Sequence, residues 1–186
     1  GGSISAYVGT LGVALGTMVA NLSSHKRGWD DRWDFFSQWA DNGQKILSKL
    51  LRLVDEDTVA FEHIMAAIKL PKGSSEEKAA RQQAMKEATE YAIEVPLEVM
   101  RTAYSMFDLL DAMAKDGNPN SASDTGVGAL CARTAIQGAG MNVRINIQDV
   151  GDGPWKSKVL EEMKQLEKDA ERRCNAIVDR VESLIA

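Results

Sequence analysis

The sequence predicts an all-α protein, a bundle of about five long helices. Apolar residues recur at spacings of three and four through most of the chain, as they do along one face of a helix. Aromatic residues make up only 6% of the 186 residues and prolines number 4, a composition that favours helices over strands. No segment alternates apolar and polar residues convincingly. Val143–Ile147 comes nearest, and we predict that it is helical.

The composition is that of an ordinary globular chain. Apolar residues account for 44% and charged residues for 26%, and the length suffices for a single domain, predicted over residues 1–186. The net charge of −5 and the lack of long basic runs argue against binding to nucleic acid. Cys131 and Cys174 lie far apart, as expected for reduced thiols of a cytoplasmic protein. Together with His25 and His63 they show no zinc-ligand spacing, so no metal site is predicted.

The first segment is uncharged. Ile4–Leu22 spans nineteen residues, about the length that crosses a bilayer. Polar residues and glycines interrupt it, which favours a central helix buried on all sides of a bundle, with no membrane involved. Gly9, Gly12 and Gly16 clear one side of this helix for close approach, either by a neighbouring helix or by a bound molecule.

A second helix is predicted from Trp29 to about Ile68, begun by the cap-like pair Asp30-Asp31. Gly43 weakens the middle of the pattern and predicts a bend there. The apolar stripe of this helix comprises Phe35, Trp39, Ile46, Leu50, Leu53, Val54, Phe61, Ile64 and Ile68.

A third helix is predicted from Ser75, as its cap, to about Lys115. Pro96 lies inside it. Proline has no N–H and its ring crowds the preceding turn, so we expect a kink and a carbonyl of Ala92 without its helical partner.

A fourth helix, about Ser123 to Gln148, is dense in glycine and alanine, and a fifth runs from about Trp155 to Ile185. Small side chains allow helices to approach closely. The first and fourth helices, which are both rich in small residues, are therefore predicted to lie at the centre of the bundle.

Asp57 is the leading candidate for an acid–base residue. It ends the acidic run Asp55-Glu56-Asp57, which alone is typical of a solvated helix face. Phe61 follows one turn later, so Asp57 borders the apolar stripe. Desolvation beside an aromatic ring raises the pKa of a carboxylic acid, which would let Asp57 exchange a proton near neutral pH.

Six further polar side chains are candidates for binding a substrate: Lys72, Arg81, Asn118, Asp124, Asn142 and Asn146. Asn142 and Asn146 are one turn apart on a small, apolar helix, and converging amides are typical of a site that orients a heterocycle. Asn118 and Asp124 flank a helix start, where capping alone also explains them. The two basic residues can bind a carboxylate or remain solvated.

Motifs throughout the chain resemble the cyclodeaminase/cyclohydrolase family of folate enzymes. That family comprises the C-terminal domain of formimidoyltransferase-cyclodeaminase and stand-alone bacterial methenyltetrahydrofolate cyclohydrolases. The motifs, in the family's order, are Gly1-Gly2-Ser3, Gly12-x-Ala14-Leu15-Gly16-x-Met18-Val19-Ala20, Val54-Asp55-x-Asp57-x-x-Ala60-Phe61, Leu70-Pro71-Lys72, Glu76-Glu77-Lys78-x-x-Arg81, Val95-Pro96-Leu97, Gly117-Asn118, Ser123-Asp124 and Asn142-Val143-x-Ile145-Asn146. The family's proline-rich lead before the first motif is absent, so we expect a short N-terminal piece to be missing here.

The resemblance implies an all-α homodimer with its folate pocket near the subunit interface. It assigns the role of proton donor to Asp57. By motif position, the four asparagine and aspartate candidates are expected to orient the pterin and the bridge nitrogens. Lys72 and Arg81 are expected to meet the glutamate tail of the folate.

Two folate reactions remain open. We favour cyclisation of 5-formimidoyltetrahydrofolate with release of ammonia, which implies a formimidoyltransferase partner in histidine degradation. The alternative is interconversion of 5,10-methenyl- and 10-formyltetrahydrofolate by a cyclohydrolase. Neither reaction needs a metal or a redox cofactor. Outside the enzyme class, the uncharged first helix also fits a non-catalytic helical scaffold or a membrane-associated protein.

Overall fold

The computed structural model describes residues 1–186 and contains five α-helices and no strand. The helices are α1 (Gly2–Ser24), α2 (Trp33–Lys69), α3 (Ser75–Asp116), α4 (Ala122–Asn146) and α5 (Pro154–Ile185). Short 3₁₀ turns occupy Asp30–Arg32, Pro119–Ser121 and Ile147–Asp149. The predicted fold class is confirmed, and residues 143–146 are helical as expected.

All five helices contribute to one core of 36 buried apolar residues. α1 and α4 contact each other, and both also pack against α3. A Cβ at Gly12 would lie 2.7 Å from the Cβ of Cys131 and 2.9 Å from the carbonyl oxygen of Gly128. Such distances leave no space for a methyl group, so the two backbones meet at this point. The neighbour for which Gly12 makes room is therefore a helix of the same chain.

One side of α1 is left uncovered by the subunit. Its exposed residues follow helical spacing, and an adjoining exposed row lies on α4. We call these nine residues the α1–α4 face: Ile4, Tyr7, Leu11, Met18, Leu22, Val127, Leu130, Met141 and Ile145. The expectation that α1 is buried on all sides is wrong, because α2, α3 and α4 enclose only the side that carries the glycines.

α1 is also the one helix long and apolar enough to cross a membrane, by length and composition. In the fold, 56% of that apolar stretch is buried. Its buried half packs against other helices and its exposed half belongs to the α1–α4 face.

The start and the stripe of α2 differ from the prediction. The helix begins at Trp33 rather than Trp29, because residues 30–32 form a 3₁₀ turn. Phe36 is fully buried, whereas Phe35 is 40% exposed. A Cβ at Gly43 would overlap the hydroxyl of Thr17, so this glycine allows α1 and α2 to approach closely. α2 runs without a break through it.

The capping residue of α3 lies one position earlier than predicted. The cap is Ser74, whose hydroxyl accepts a hydrogen bond from the N–H of Glu77 at 3.2 Å. The Glu77 carboxylate accepts in return from the N–H of Ser74 at 3.1 Å, which completes a capping box. The helix then continues through the buried Pro96 to Asp116.

Residues 55–92 form a largely exposed pair of helices, the second half of α2 and the first half of α3. We call this segment the arm. Its buried residues are Ala60, Ala67 and Ala88, whose small side chains let the two helices pack closely. Phe61, predicted to face inward, is 65% exposed, because the alanine before it occupies the inner position.

Candidate active site

Asp57 lies at the beginning of α1, although it belongs to α2. Its Oδ2 accepts hydrogen bonds from the backbone N–H of Ser3 at 2.8 Å and from the Ser3 hydroxyl at 2.6 Å. The first N–H groups of a helix have no partner in the helix and carry partial positive charge, which attracts a carboxylate. The half-buried Asp57 therefore caps α1 from a neighbouring helix.

Two glycines leave room for this arrangement. A Cβ at Gly2 would overlap the carboxylate of Asp57, and a Cβ at Gly1 would lie 3.1 Å from Nδ2 of Asn142. Because these glycines are consecutive, the fold brings Asp57 and Asn142 to the same end of α1. Nδ2 of Asn142 donates to the carbonyl of Gly138 at 2.9 Å, within its own helix.

The two oxygens of Asp57 have different surroundings. Ser3 holds Oδ2, whereas Oδ1 accepts no hydrogen bond within the chain. The free oxygen can take up or deliver a proton while the other keeps the side chain in place. Ser3 was missed as a site residue. The sequence feature that could have indicated it is the Gly1-Gly2-Ser3 motif, but this motif alone does not show that α2 packs beside it.

The aromatic neighbour expected for Asp57 is absent. Phe61 lies on the outer surface of the arm and does not shield the carboxylate from water. That part of the prediction is wrong, because it assumed that the apolar stripe of α2 keeps facing the core beyond Val54. The surroundings of Asp57 are instead the glycines and the serine at the start of α1.

The carbonyl of Ala92, which Pro96 was predicted to free, has a partner on α4. Nδ2 of Asn146 donates to this oxygen at 2.7 Å. The amide of Asn146, predicted to orient a substrate, is thus engaged with α3. Asn146 lies one turn beyond Asn142 and ends α4.

Asn118 and Asp124 lie at the opposite end of the bundle. The backbone N–H of Asn118 donates to the hydroxyl of Ser23 at 2.8 Å, and its side chain caps the 3₁₀ turn that follows. Asp124 lies in the first turn of α4. Ser3 and Ser23 are separated by about 30 Å along α1, at 1.5 Å per residue. Within one subunit, these two candidates are not brought to the predicted acid–base residue.

Lys72 and Arg81 belong to the arm. Lys72 lies exposed in the loop at its tip, and Arg81 is half-buried on α3. Asp57 lies near the base of the arm, twelve residues before the end of α2 at Lys69, which corresponds to about 18 Å of helix. The two basic residues are therefore distant from Asp57 along the same segment.

The main grooves of the single chain lie away from Asp57. One, of about 540 Å³, runs between α1 and α2 beside Met18, Leu22 and His25. Another, of about 670 Å³, lies between the arm and the residues 149–151 that precede α5. Neither includes Asp57, so neither could hold a substrate against it.

Sequence comparison matches residues 1–165 to the formiminotransferase-cyclodeaminase family. The chain is 32% identical over 185 residues to a methenyltetrahydrofolate cyclohydrolase of Methylorubrum extorquens, covering 100% of this chain and 89% of that protein. It is also 32% identical over 182 residues to the formimidoyltransferase-cyclodeaminase of Sus scrofa. That alignment covers 98% of this chain but only 34% of the longer protein.

A solved structure is similar over nearly the whole chain. It is a formiminotetrahydrofolate cyclodeaminase from Thermotoga maritima, with a TM-score of 0.77 and 27% sequence identity. The match covers 98% of this chain and 85% of that one. With the match across residues 1–165, these similarities show that the chain belongs to the formiminotransferase-cyclodeaminase family.

Proposed function

We propose that this chain closes the ring between N5 and N10 of a tetrahydrofolate, converting 5-formimidoyltetrahydrofolate into 5,10-methenyltetrahydrofolate with release of ammonia. The observation that carries the proposal is Asp57, held at the start of α1 with one carboxylate oxygen free. The names of the similar proteins, which refer to formiminotetrahydrofolate and methenyltetrahydrofolate, support this class of substrate.

In the proposed reaction, N10 attacks the carbon of the protonated amidine already attached to N5, so that a new N10–C bond forms and the C=N bond becomes a single bond to an amino group. Oδ1 of Asp57 accepts the proton from N10 and delivers it to the amino group of the tetrahedral intermediate. The C–N bond to that group then breaks, and it leaves as ammonia. A single positioned group suffices, because it acts first as a base and then as an acid.

Positioning supplies the rest of the catalysis. Asn142, at the same end of α1 as the carboxylate, is proposed to orient the pterin so that N10 and the amidine carbon lie within attack distance. Holding reactants in this geometry removes part of the entropic barrier. Because only protons and ammonia are transferred, we propose that the reaction requires no metal or redox cofactor.

The second candidate is a methenyltetrahydrofolate cyclohydrolase. The observation that favours it is the relative from Methylorubrum extorquens, which carries that name and is matched over 89% of its length. In this reaction Asp57 would take a proton from the water that attacks the methenyl carbon and deliver it to N5, whose bond to that carbon breaks to leave 10-formyltetrahydrofolate. The same carboxylate and the same pocket serve both reactions.

Two assays on the purified protein test the proposal. With 5-formimidoyltetrahydrofolate, we expect ammonia and the absorbance of the methenyl product to appear in equal amounts. Hydrolysis of 5,10-methenyltetrahydrofolate without ammonia release from the first substrate would support the cyclohydrolase instead. No turnover of either folate, together with no folate binding, would favour the non-catalytic scaffold or membrane-associated protein.

We propose further that the α1–α4 face joins two copies of the chain in a homodimer. Its nine large apolar side chains are each between 39% and 66% exposed in the single chain. Exposed apolar side chains gathered on one face are typical of a site of protein association. α1 carries no charged residue from Gly2 to Ser24, and the cores of protein interfaces are similarly depleted of charge.

A second copy bound across a two-fold axis near the middle of α1 would run antiparallel to the first. It would bring its own Asn118 and Asp124 to the end of α1 where Asp57 lies. This arrangement explains why the predicted binding residues occupy opposite ends of one subunit. The site would then be completed by the partner copy.

Subunit mixing tests this arrangement. Asp57→Asn and Asp124→Asn are each expected to be inactive alone, since each removes one half of every site. Co-expressed at equal levels, they form heterodimers in which one of the two sites is intact. About a quarter of the wild-type activity should return, because half of the randomly assembled dimers are mixed.

Leu11→Glu supplies the control for subunit mixing. A charge in the middle of the apolar face should produce monomers by light scattering and abolish the recovery of activity. Ala176→Glu, at an exposed alanine of α5, should change neither result. No recovery of activity from demonstrably mixed dimers would refute the shared site.

We also propose a formimidoyltransferase partner and a cytoplasmic location. The Sus scrofa relative is named for both a transferase and a cyclodeaminase, which supports a formimidoyltransferase as functional partner. Histidine degradation is proposed as the pathway of the pair on the resemblance alone. The free thiols Cys131 and Cys174 are consistent with a reducing cytoplasm.

A further inference from the structure

Pro96 interrupts the hydrogen-bond ladder of α3 without ending the helix. The residue at position 96 of an uninterrupted helix would donate its N–H to the carbonyl of Ala92. Proline has no N–H, and a carbonyl left without a partner in the interior is destabilising. Asn146 supplies the missing donor from another helix, with Nδ2 at 2.7 Å from the Ala92 oxygen.

This contact lies where the arm joins the core. On the arm side of Ala92, only Ala88 is buried among the residues of α3. On the other side, Ile93, Val95 and Pro96 are all buried. The side chain of Asn146 therefore holds α3 at the point where it leaves the core.

The contact between Asn146 and Ala92 lies at about the same position along the two helices of the arm as Asp57. His63 of α2 lies 5.4 Å, ring to ring, from Tyr91 of α3, and further along Lys49 forms an ion pair with Glu98. Asp57 lies between these two contacts along α2. The segment of α3 opposite it is consequently the one between residues 91 and 98, which includes Pro96.

We propose that Asn146 is a positioning residue, which replaces the hydrogen bond that Pro96 removes and thereby fixes the base of the arm, and with it Asp57, against the start of α1. The catalytic part of this inference rests on the proposed function. The resemblance predicted instead that Asn146 contacts the substrate. If Asn146 is a positioning residue, its amide is needed only because Pro96 has no N–H. If Asn146 binds the substrate, the effect of removing its amide does not depend on Pro96.

The test is a double-mutant cycle between Asn146→Ala and Pro96→Ala. Alanine at position 96 restores an N–H that can bond to the Ala92 carbonyl, so the Asn146 amide should become dispensable. In the protein that keeps Pro96, Asn146→Ala should accelerate amide hydrogen exchange at residues 91–95 and 97 about tenfold. It should also lower kcat about tenfold while KM stays almost unchanged. In the Pro96→Ala background, the same substitution should change each quantity by less than about twofold.

Asn142→Ala is the matched control for the exchange measurement. Its amide lies one turn earlier and donates only within α4, so exchange at residues 91–97 should not change. Should Asn146→Ala not fold, Asn146→Asp removes the donor while keeping the shape of the side chain, and the same cycle applies.

Equal acceleration of exchange in both backgrounds, or none in either, would overturn the proposal. So would a large rise in KM that Pro96→Ala does not rescue, since this result identifies a substrate ligand. Exchange is measured without substrate. A cycle that behaves as expected in a protein without folate turnover would therefore support the positioning contact and reject the proposed function.

Discussion

Asp57→Asn is expected to lower turnover by about 10²- to 10⁴-fold, the usual contribution of a positioned acid–base group. The asparagine amide oxygen can still accept the two hydrogen bonds from Ser3, so the start of α1 stays capped. What is lost is an oxygen that can take a proton from N10 and return it to the leaving amine. The measurement is the rate of methenyl formation, together with the unfolding curve of the variant.

Asp55→Asn is the matched control, because Asp55 is an exposed carboxylate two residues earlier on the same helix. It should turn over at the wild-type rate. The turnover rate of Ser3→Ala should lie between those of Asp55→Asn and Asp57→Asn. This substitution removes the hydroxyl donor to Asp57 and leaves the backbone donor of the same residue. If Asp57→Asn were folded and fully active, Asp57 would have no part in the chemistry.

Gly12→Leu is expected to prevent folding of the subunit. Even a Cβ at this position would lie 2.7 Å from both the Cβ of Cys131 and the terminal carbon of Met106. It would also press on the backbone of α4 at Gly128, which cannot move aside as a flexible side chain can. The smaller change Gly12→Ala should cost about 1–3 kcal/mol of unfolding free energy, despite the better helix propensity of alanine.

Urea unfolding followed by circular dichroism measures both variants. Gly126→Ala is the control, because a Cβ there would meet only the side chain of Val181, at 3.2 Å for the nearest atom. The gain in helix propensity, about 1 kcal/mol, should offset this contact and keep its stability near wild type. A stably folded Gly12→Leu protein would contradict the close approach of α1 and α4.

The helices themselves could be predicted from the sequence, since each depends on the spacing of apolar residues along its own segment. The ends were less certain. Trp29 was expected to begin α2 and Ser75 to cap α3, whereas the helix starts at Trp33 and the cap is Ser74. Several polar residues near each start can satisfy the free N–H groups, and the choice among them depends on the local path of the chain.

The inward side of α2 beyond Val54 could not be predicted. Large apolar residues and small alanines both recur there at helical spacing, and hydrophobicity alone favours Phe61 as the buried residue. The alanines Ala60 and Ala67 are buried instead, because the arm consists of two helices packed closely together. The large side chains are left on the outside of the arm.

The sequence by itself determined the all-helical class, the break in hydrogen bonding at Pro96 and the candidacy of Asp57, because each follows from residues close together in the chain. Only the tertiary structure decided that Ser3 holds Asp57 and that Asn146 bonds to Ala92. Each of these pairs is separated by 54 residues. Contacts over such distances depend on how the helices pack, which no local pattern of residues encodes.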